Sequence, residues 1–91
     1  MMSRHAQPWF VYILECADST LYTGVSTDPE RRFREHQAKQ GARYTKARGA
    51  KRLLYTERCI DRRAACVREA EIKTLPRARK RALCDHTPDD A

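Results

Sequence analysis

The stretch Trp9 to Cys16 is eight residues long, almost unbrokenly apolar and aromatic, and of strand length. Ala17-Asp18-Ser19-Thr20 follows with turn chemistry, and Leu21 to Ser26 resumes with strand-forming residues. The two segments predict a hairpin, and that hairpin constrains everything built on it. Successive side chains of a strand alternate between faces, so Phe10, Tyr12 and Leu14 share one side of the first segment. Tyr22 and Gly24 share one side of the second. With an odd number of connecting residues, Tyr12 and Tyr22 face the same way. Two phenols then converge beside a glycine, which admits close approach of a backbone or ligand. Tyrosine also suits strands as a plain core aromatic, and the hairpin alone does not choose between the two readings.

Thr27-Asp28-Pro29-Glu30 signals a helix start, with Thr27 and Glu30 at capping-box spacing, or Asp28 as cap and Pro29 in the first helical position. The predicted helix runs to about Lys39 and ends at Gly41. Residues 42–50, basic and broken by Gly49, read as a loop or short turn. Leu53 to Thr56 read as a third short strand. Asp61 caps a second helix extending to Leu75, Pro76 interrupts it, and a third helix carries Arg77 to Cys84. A frayed tail is expected from Asp85 onward. No repeat and no linker interrupts the 91 residues, which are read as one domain, 1–91, with its core at about 9–83. The order strand, strand, helix, strand, helix, helix predicts an α+β fold with a small, mainly antiparallel sheet.

Charge narrows the partners. The net charge is +7, and residues 30–81 carry 18 of the 19 Lys and Arg but six of the 12 acidic residues. A cationic field concentrated in this way favours a polyanion, most simply nucleic acid. No run approaches the roughly 20 apolar residues of a membrane span, and Met1 to Pro8 lacks the pattern of a secretory signal, so a cytoplasmic location is expected. Cys16, Cys59, Cys66 and Cys84 show neither C-x-x-C pairing nor a histidine at finger-like spacing; they are expected to be buried packing residues.

Three further side chains bear chemistry. Arg32 and His36 stand four apart and project from one helical face. A guanidinium holds a phosphate through oriented donors, and histidine exchanges a proton near neutral pH, although such a pair is also common on exposed helices. Glu69 shares a face with Ala65 and Ile72, where a carboxylate needs a partner: a salt bridge to a nearby arginine is the plain reading and a divalent cation the functional one.

Taken together, Phe10-Val11-Tyr12, then Tyr22-Thr23-Gly24, then Arg32, His36 and Glu69, resemble the GIY-YIG nuclease family, in particular its small bacterial UPF0213 or YhbQ-like branch. The resemblance spans roughly Trp9 to Leu83 and includes Gly41-Ala42-Arg43-Tyr44-Thr45 and Glu69-Ala70-Glu71-Ile72-Lys73. It implies three antiparallel strands flanked by helices and one divalent ion, magnesium or manganese, held by Glu69. Tyr12 and Tyr22 match the motif tyrosines, Gly24 the motif glycine and Arg32 the catalytic arginine. His36 falls where relatives place a histidine or tyrosine near the reacting phosphate. Phe10 stands for the first motif glycine, Thr23 for an isoleucine, and Val25 where some relatives carry a lysine. The implied activity is metal-assisted hydrolysis of DNA phosphodiesters, with Tyr22, or His36 in its place, as general base. Arg43, Lys46 and Lys73 are candidate phosphate contacts on charge and location. The alternatives are a nucleic-acid-binding module without turnover, and an adaptor that recruits a separate nuclease. For so small a nuclease a protein partner that supplies substrate targeting is also expected.

Overall fold

Aromatic and β-branched residues dominate Trp9–Cys16 and make it the central strand, β1. A computed structural model describes residues 7–85. β1 pairs antiparallel with β2 (Leu21–Ser26) on one side and with β3 (Ala50–Cys59) on the other, giving the order β2-β1-β3. Helices α1 (Pro29–Gln37) and α2 (Arg43–Arg48) lie between β2 and β3 in the chain. Helices α3 (Arg62–Lys73) and α4 (Arg77–Asp85) follow β3. The expected α+β fold, a three-stranded antiparallel sheet flanked by helices, is the observed one.

The hairpin register pairs Tyr12 with Gly24 and Leu14 with Tyr22, and Glu15↔Leu21 is the last pair before the turn. Five residues separate that pair, so the connection is odd and the two tyrosines do share a face. Their neighbours Val11 and Ile13 point the other way, into a core formed with Tyr55 of β3, Ala65 and Ile72 of α3, and Cys84 of α4. Trp9, Leu21, Val25, Leu54, Cys59 and Leu83 close around it.

Glu15 ties this assembly together at its edge. Its carboxylate is buried and accepts from Arg52 of β3 at 2.7 Å and from Arg81 of α4 at 2.8 Å. The two guanidiniums, Arg81 foremost, hold its pKa down to about 2. A lone carboxylate in that position would be costly to bury.

Several boundaries differ from the expectation. The α1 cap is Asp28, which accepts from the Arg31 backbone N–H with Pro29 behind it, but the helix ends at Gln37. Lys39, not Gly41, adopts the left-handed conformation there, with φ 64°. Residues 43–48 are helical rather than loop. α2 has no side-chain cap at Ala42, and its buried anchor is Thr45, a polar residue that hydrophobic periodicity does not register. β3 is ten residues long instead of four. Two register shifts against β1, between Ile13 and Leu14 and between Glu15 and Cys16, mark bulges that interrupt its alternation. α3 starts as read, with Asp61 accepting from Ala64 N–H, but stops at Lys73. Of the cysteines, Cys16 and Cys84 are buried, Cys59 is half-buried and Cys66 is exposed, so the packing role fails for Cys66. The tail expected to fray beyond Asp85 lies outside the described residues.

Candidate active site

The Tyr12 face of the hairpin carries a cluster of packed aromatic rings. Tyr12 is 1% exposed and crosses directly over Gly24, whose missing side chain makes the space. Its hydroxyl lies 3.0 Å from Nε2 of His36 on α1. The Tyr22 ring centroid lies 6.4 Å from that of Tyr12 and 5.2 Å from that of His36, both in tilted or edge contacts favoured between aromatic rings. Tyr44 of α2 continues the series at 5.8 Å from Tyr22, and the Arg48 guanidinium covers Tyr44 at 4.4 Å.

His36 is completely buried. Its second nitrogen, Nδ1, lies 2.6 Å from the Thr45 hydroxyl, which in turn donates to the Ala42 carbonyl at 3.0 Å. Gly41 stands against the imidazole so closely that a Cβ there would collide with Nδ1. This is what Gly41 contributes, rather than a helix cap. Burial, with the Arg32 charge second, pushes the His36 pKa below its ordinary value, so the imidazole is neutral at pH 7. With both nitrogens engaged inside the protein, His36 has no ring atom left to meet a water molecule, which weighs against its reading as a general base.

Burial also drives the Tyr12 phenol up to about 12, with Tyr22 adding to the shift and Arg32 opposing it. Glu69 of α3 stands near enough for its charge to raise the same phenol. Arg32 forms an ion pair with Glu35 at 2.8 Å through Nη1, which leaves other guanidinium donors free. Tyr12, Tyr22, Gly24, Arg32, His36 and Glu69 are thus drawn into one neighbourhood.

The candidate phosphate contacts divide. Arg43 and Lys46 are exposed on α2, whereas Lys73 pairs with Glu69 at 3.0 Å one helical turn away. The partner of Glu69 is therefore a lysine, not the arginine expected from the sequence. A separate groove of about 480 Å³ between α1 and β3 is lined by Glu30, Phe33, Arg34, Lys51, Arg52 and Leu53 and holds none of the candidate catalytic residues. Sequence reasoning missed Thr45 and the structural part of Gly41, although both lie in the Gly41 to Thr45 block quoted for the resemblance. No helix among the described residues is long and apolar enough to cross a membrane.

Among the described residues no three His, Cys, Asp or Glu side chains cluster as a metal cage. Magnesium is commonly held by one or two carboxylates, with waters and substrate phosphates completing its octahedron. A single carboxylate such as Glu69 fits that mode and does not fit a structural zinc site.

The model of the GIY-YIG catalytic domain matches residues 8–82. The chain belongs to the GIY-YIG nuclease superfamily. Within it, its similar proteins carry the UPF0213 name. One from Natronomonas pharaonis is 52% identical over 79 residues, covering 86% of this chain and 93% of its own. The UPF0213 protein YhbQ of Escherichia coli is 38% identical over 76 residues, covering 84% and 76%. The solution NMR structure of a UPF0213 protein from Bacillus halodurans superposes with a TM-score of 0.54 at 41% identity, covering 86% of this chain and 83% of that one.

Proposed function

We propose that the protein is a metal-dependent endonuclease that hydrolyses phosphodiester bonds in DNA, with structured or damaged DNA in repair or recombination as its setting. The observation that carries this reading is the grouping of Tyr12, Tyr22 and His36 in mutual contact, with the charges of Arg32 and Glu69 acting on the Tyr12 phenol.

Tyr22 is the phenol that takes the proton from an attacking water. Arg32 stabilises the negative charge that develops on the phosphoryl oxygens. A divalent cation held by Glu69, magnesium or manganese, would supply Lewis-acid stabilisation of the leaving oxygen. Lys73 must then yield the Glu69 carboxylate or share it. Arg43 and Lys46 fix the substrate through its phosphates. Four free cysteines suit a reducing cytoplasm.

The Glu69–Lys73 pair is the one observation that favours a second reading, a binding module without turnover, because the carboxylate already has a cation. A cleavage screen of branched, nicked, single-stranded and duplex DNA and of RNA, with magnesium or manganese, separates the two. Metal-dependent products support the enzyme. Tight binding with no product from any substrate leaves the module, or an adaptor for another nuclease.

A further inference from the structure

Four groups from three segments of the chain form one continuous line of hydrogen bonds. Tyr12 Oη of β1 meets His36 Nε2 of α1, His36 Nδ1 meets Thr45 Oγ1 of α2, and Thr45 Oγ1 meets the Ala42 carbonyl at the start of α2. Tyr12, His36 and Thr45 are each within 1% of complete burial. Within such a line the direction of each proton matters as much as the spacing, and the carbonyl end decides it.

At the inner end, a carbonyl oxygen can only accept, so the single Thr45 hydrogen goes to Ala42 and Thr45 Oγ1 is left as an acceptor. His36 Nδ1 then carries the hydrogen, Nε2 is bare, and Tyr12 donates to it. The carbonyl end therefore selects one direction, and the neutral imidazole is the state in which every donor of the line has an acceptor. The Arg32 charge, which acts on the Tyr12 phenol, agrees with that direction, since a guanidinium can only donate.

We propose that Thr45 is a positioning residue: by accepting from His36 Nδ1 it fixes the imidazole tautomer, which in turn holds the Tyr12 hydrogen inward and presents the Tyr12 oxygen to the site as an acceptor only. Gly41 supports the arrangement by leaving room for the imidazole edge. Tyr12 then does not deliver a proton to a leaving group. Its oxygen receives a hydrogen bond from Arg32 or from the attacking water, and Tyr22 is the phenol left to exchange a proton. This assignment of roles rests on the nuclease reading; the direction of the line does not.

The test is long-range ¹H–¹⁵N correlation NMR of the imidazole nitrogens in the full chain, joined to cleavage assays. In the wild-type protein His36 is expected as the Nδ1–H tautomer. Thr45→Val keeps the shape but removes the acceptor, so the Nδ1–H population should fall and kcat should drop roughly ten- to a hundredfold with KM little changed. Thr45→Ser restores both. A wild-type His36 with its proton on Nε2, or a tautomer unmoved by Thr45→Val, overturns the proposal, and the wild-type spectrum decides even if the valine variant does not fold. If the tautomers behave as expected while no substrate is ever cut, it is the nuclease reading that fails and the directed line that stands.

Discussion

Gly24 lies directly across the hairpin from Tyr12, and the phenol occupies the space a side chain at position 24 would need: a Cβ there would fall 2.5 Å from the Tyr12 oxygen and 2.7 Å from Cζ. Gly24→Ala must therefore push the Tyr12 ring off His36. A loss of about 1–3 kcal/mol is expected, the usual cost of overpacking. Tyr12→Ala clears the same space, so the two substitutions should be strongly non-additive in a double-mutant cycle followed by thermal melting. Additive losses would show that the ring and the glycine do not oppose each other.

Glu69→Gln keeps the shape of the side chain and removes its charge. The fold should survive, magnesium-dependent cleavage should be lost, and DNA affinity should be largely retained because the proposed phosphate contacts Arg43 and Lys46 lie on α2. A variant that melts early and still cuts normally would make Glu69 a structural partner of Lys73. Glu71, which pairs with Arg68 at 3.2 Å, would be the next carboxylate to examine as a metal ligand.

Alkaline pH should weaken the protein through Tyr12. Its pKa is raised to about 12 in the folded chain, chiefly by burial, and is near 10 when the chain unfolds. The fold therefore favours the protonated phenol: that contribution is complete below pH 10 and disappears as pH climbs from 10 to about 12. Tyr55, raised to about 12 by burial and its bond to Glu57, acts in the same window. Ultraviolet titration should show two phenols ionising late, toward pH 12, and Tyr12→Phe should remove one of them. The absence of any late phenol would contradict both assignments.

Acid acts through Glu15. Its pKa is depressed from 4.5 to about 2, so its contribution is complete above pH 4.5 and is lost as pH falls from there toward 2. Glu15→Gln should lower the melting temperature at pH 7, because Arg52 and Arg81 lose their shared anion. It should also flatten the acid limb of the stability profile. An unchanged acid limb would assign acid sensitivity to other groups.

Salt should weaken DNA binding steeply, with little dependence on base sequence. If Arg43 and Lys46 both touch phosphates, replacing the two with alanine should reduce the slope of log affinity against log salt by about two. Lys73→Ala should change it less, since that ammonium already pairs with Glu69. Equal effects from Lys73 and from Arg43 would show that the pair opens on binding.

The hairpin was legible because its signals are local: an apolar run, four turn residues and a period-two pattern that puts Tyr12 and Tyr22 on one face. The Asp61 cap was legible for the same reason, and Asp28 was one of the two caps the sequence offered for α1; each reaches only three residues ahead. α2 was not, since it lacks a side-chain cap and is anchored by the polar Thr45, whose partner His36 is nine residues away. The length of β3 escaped because its alternation is broken by the two register shifts and its exposed positions carry charge. The pairing of Glu69 with Lys73 followed a spacing open to inspection. The burial of His36 did not, because an Arg-x-x-x-His helix face reads as polar surface until α2 is seen to cover it.

The position of β1 has a consequence for synthesis. It is first among the strands in the chain yet central in the sheet, so its hairpin with β2 is complete long before β3 is made. A nascent chain that has reached Cys59 already contains Tyr12, Tyr22, Arg32, His36 and Thr45, but neither Glu69 nor the α3 residues that cover Val11 and Ile13. The same twelve-residue helix delivers both the acid and the lid of the core. Burial of the apolar face and arrival of the carboxylate thus fall in one step, and a ribosome-bound intermediate carries the phenols without the means to use them.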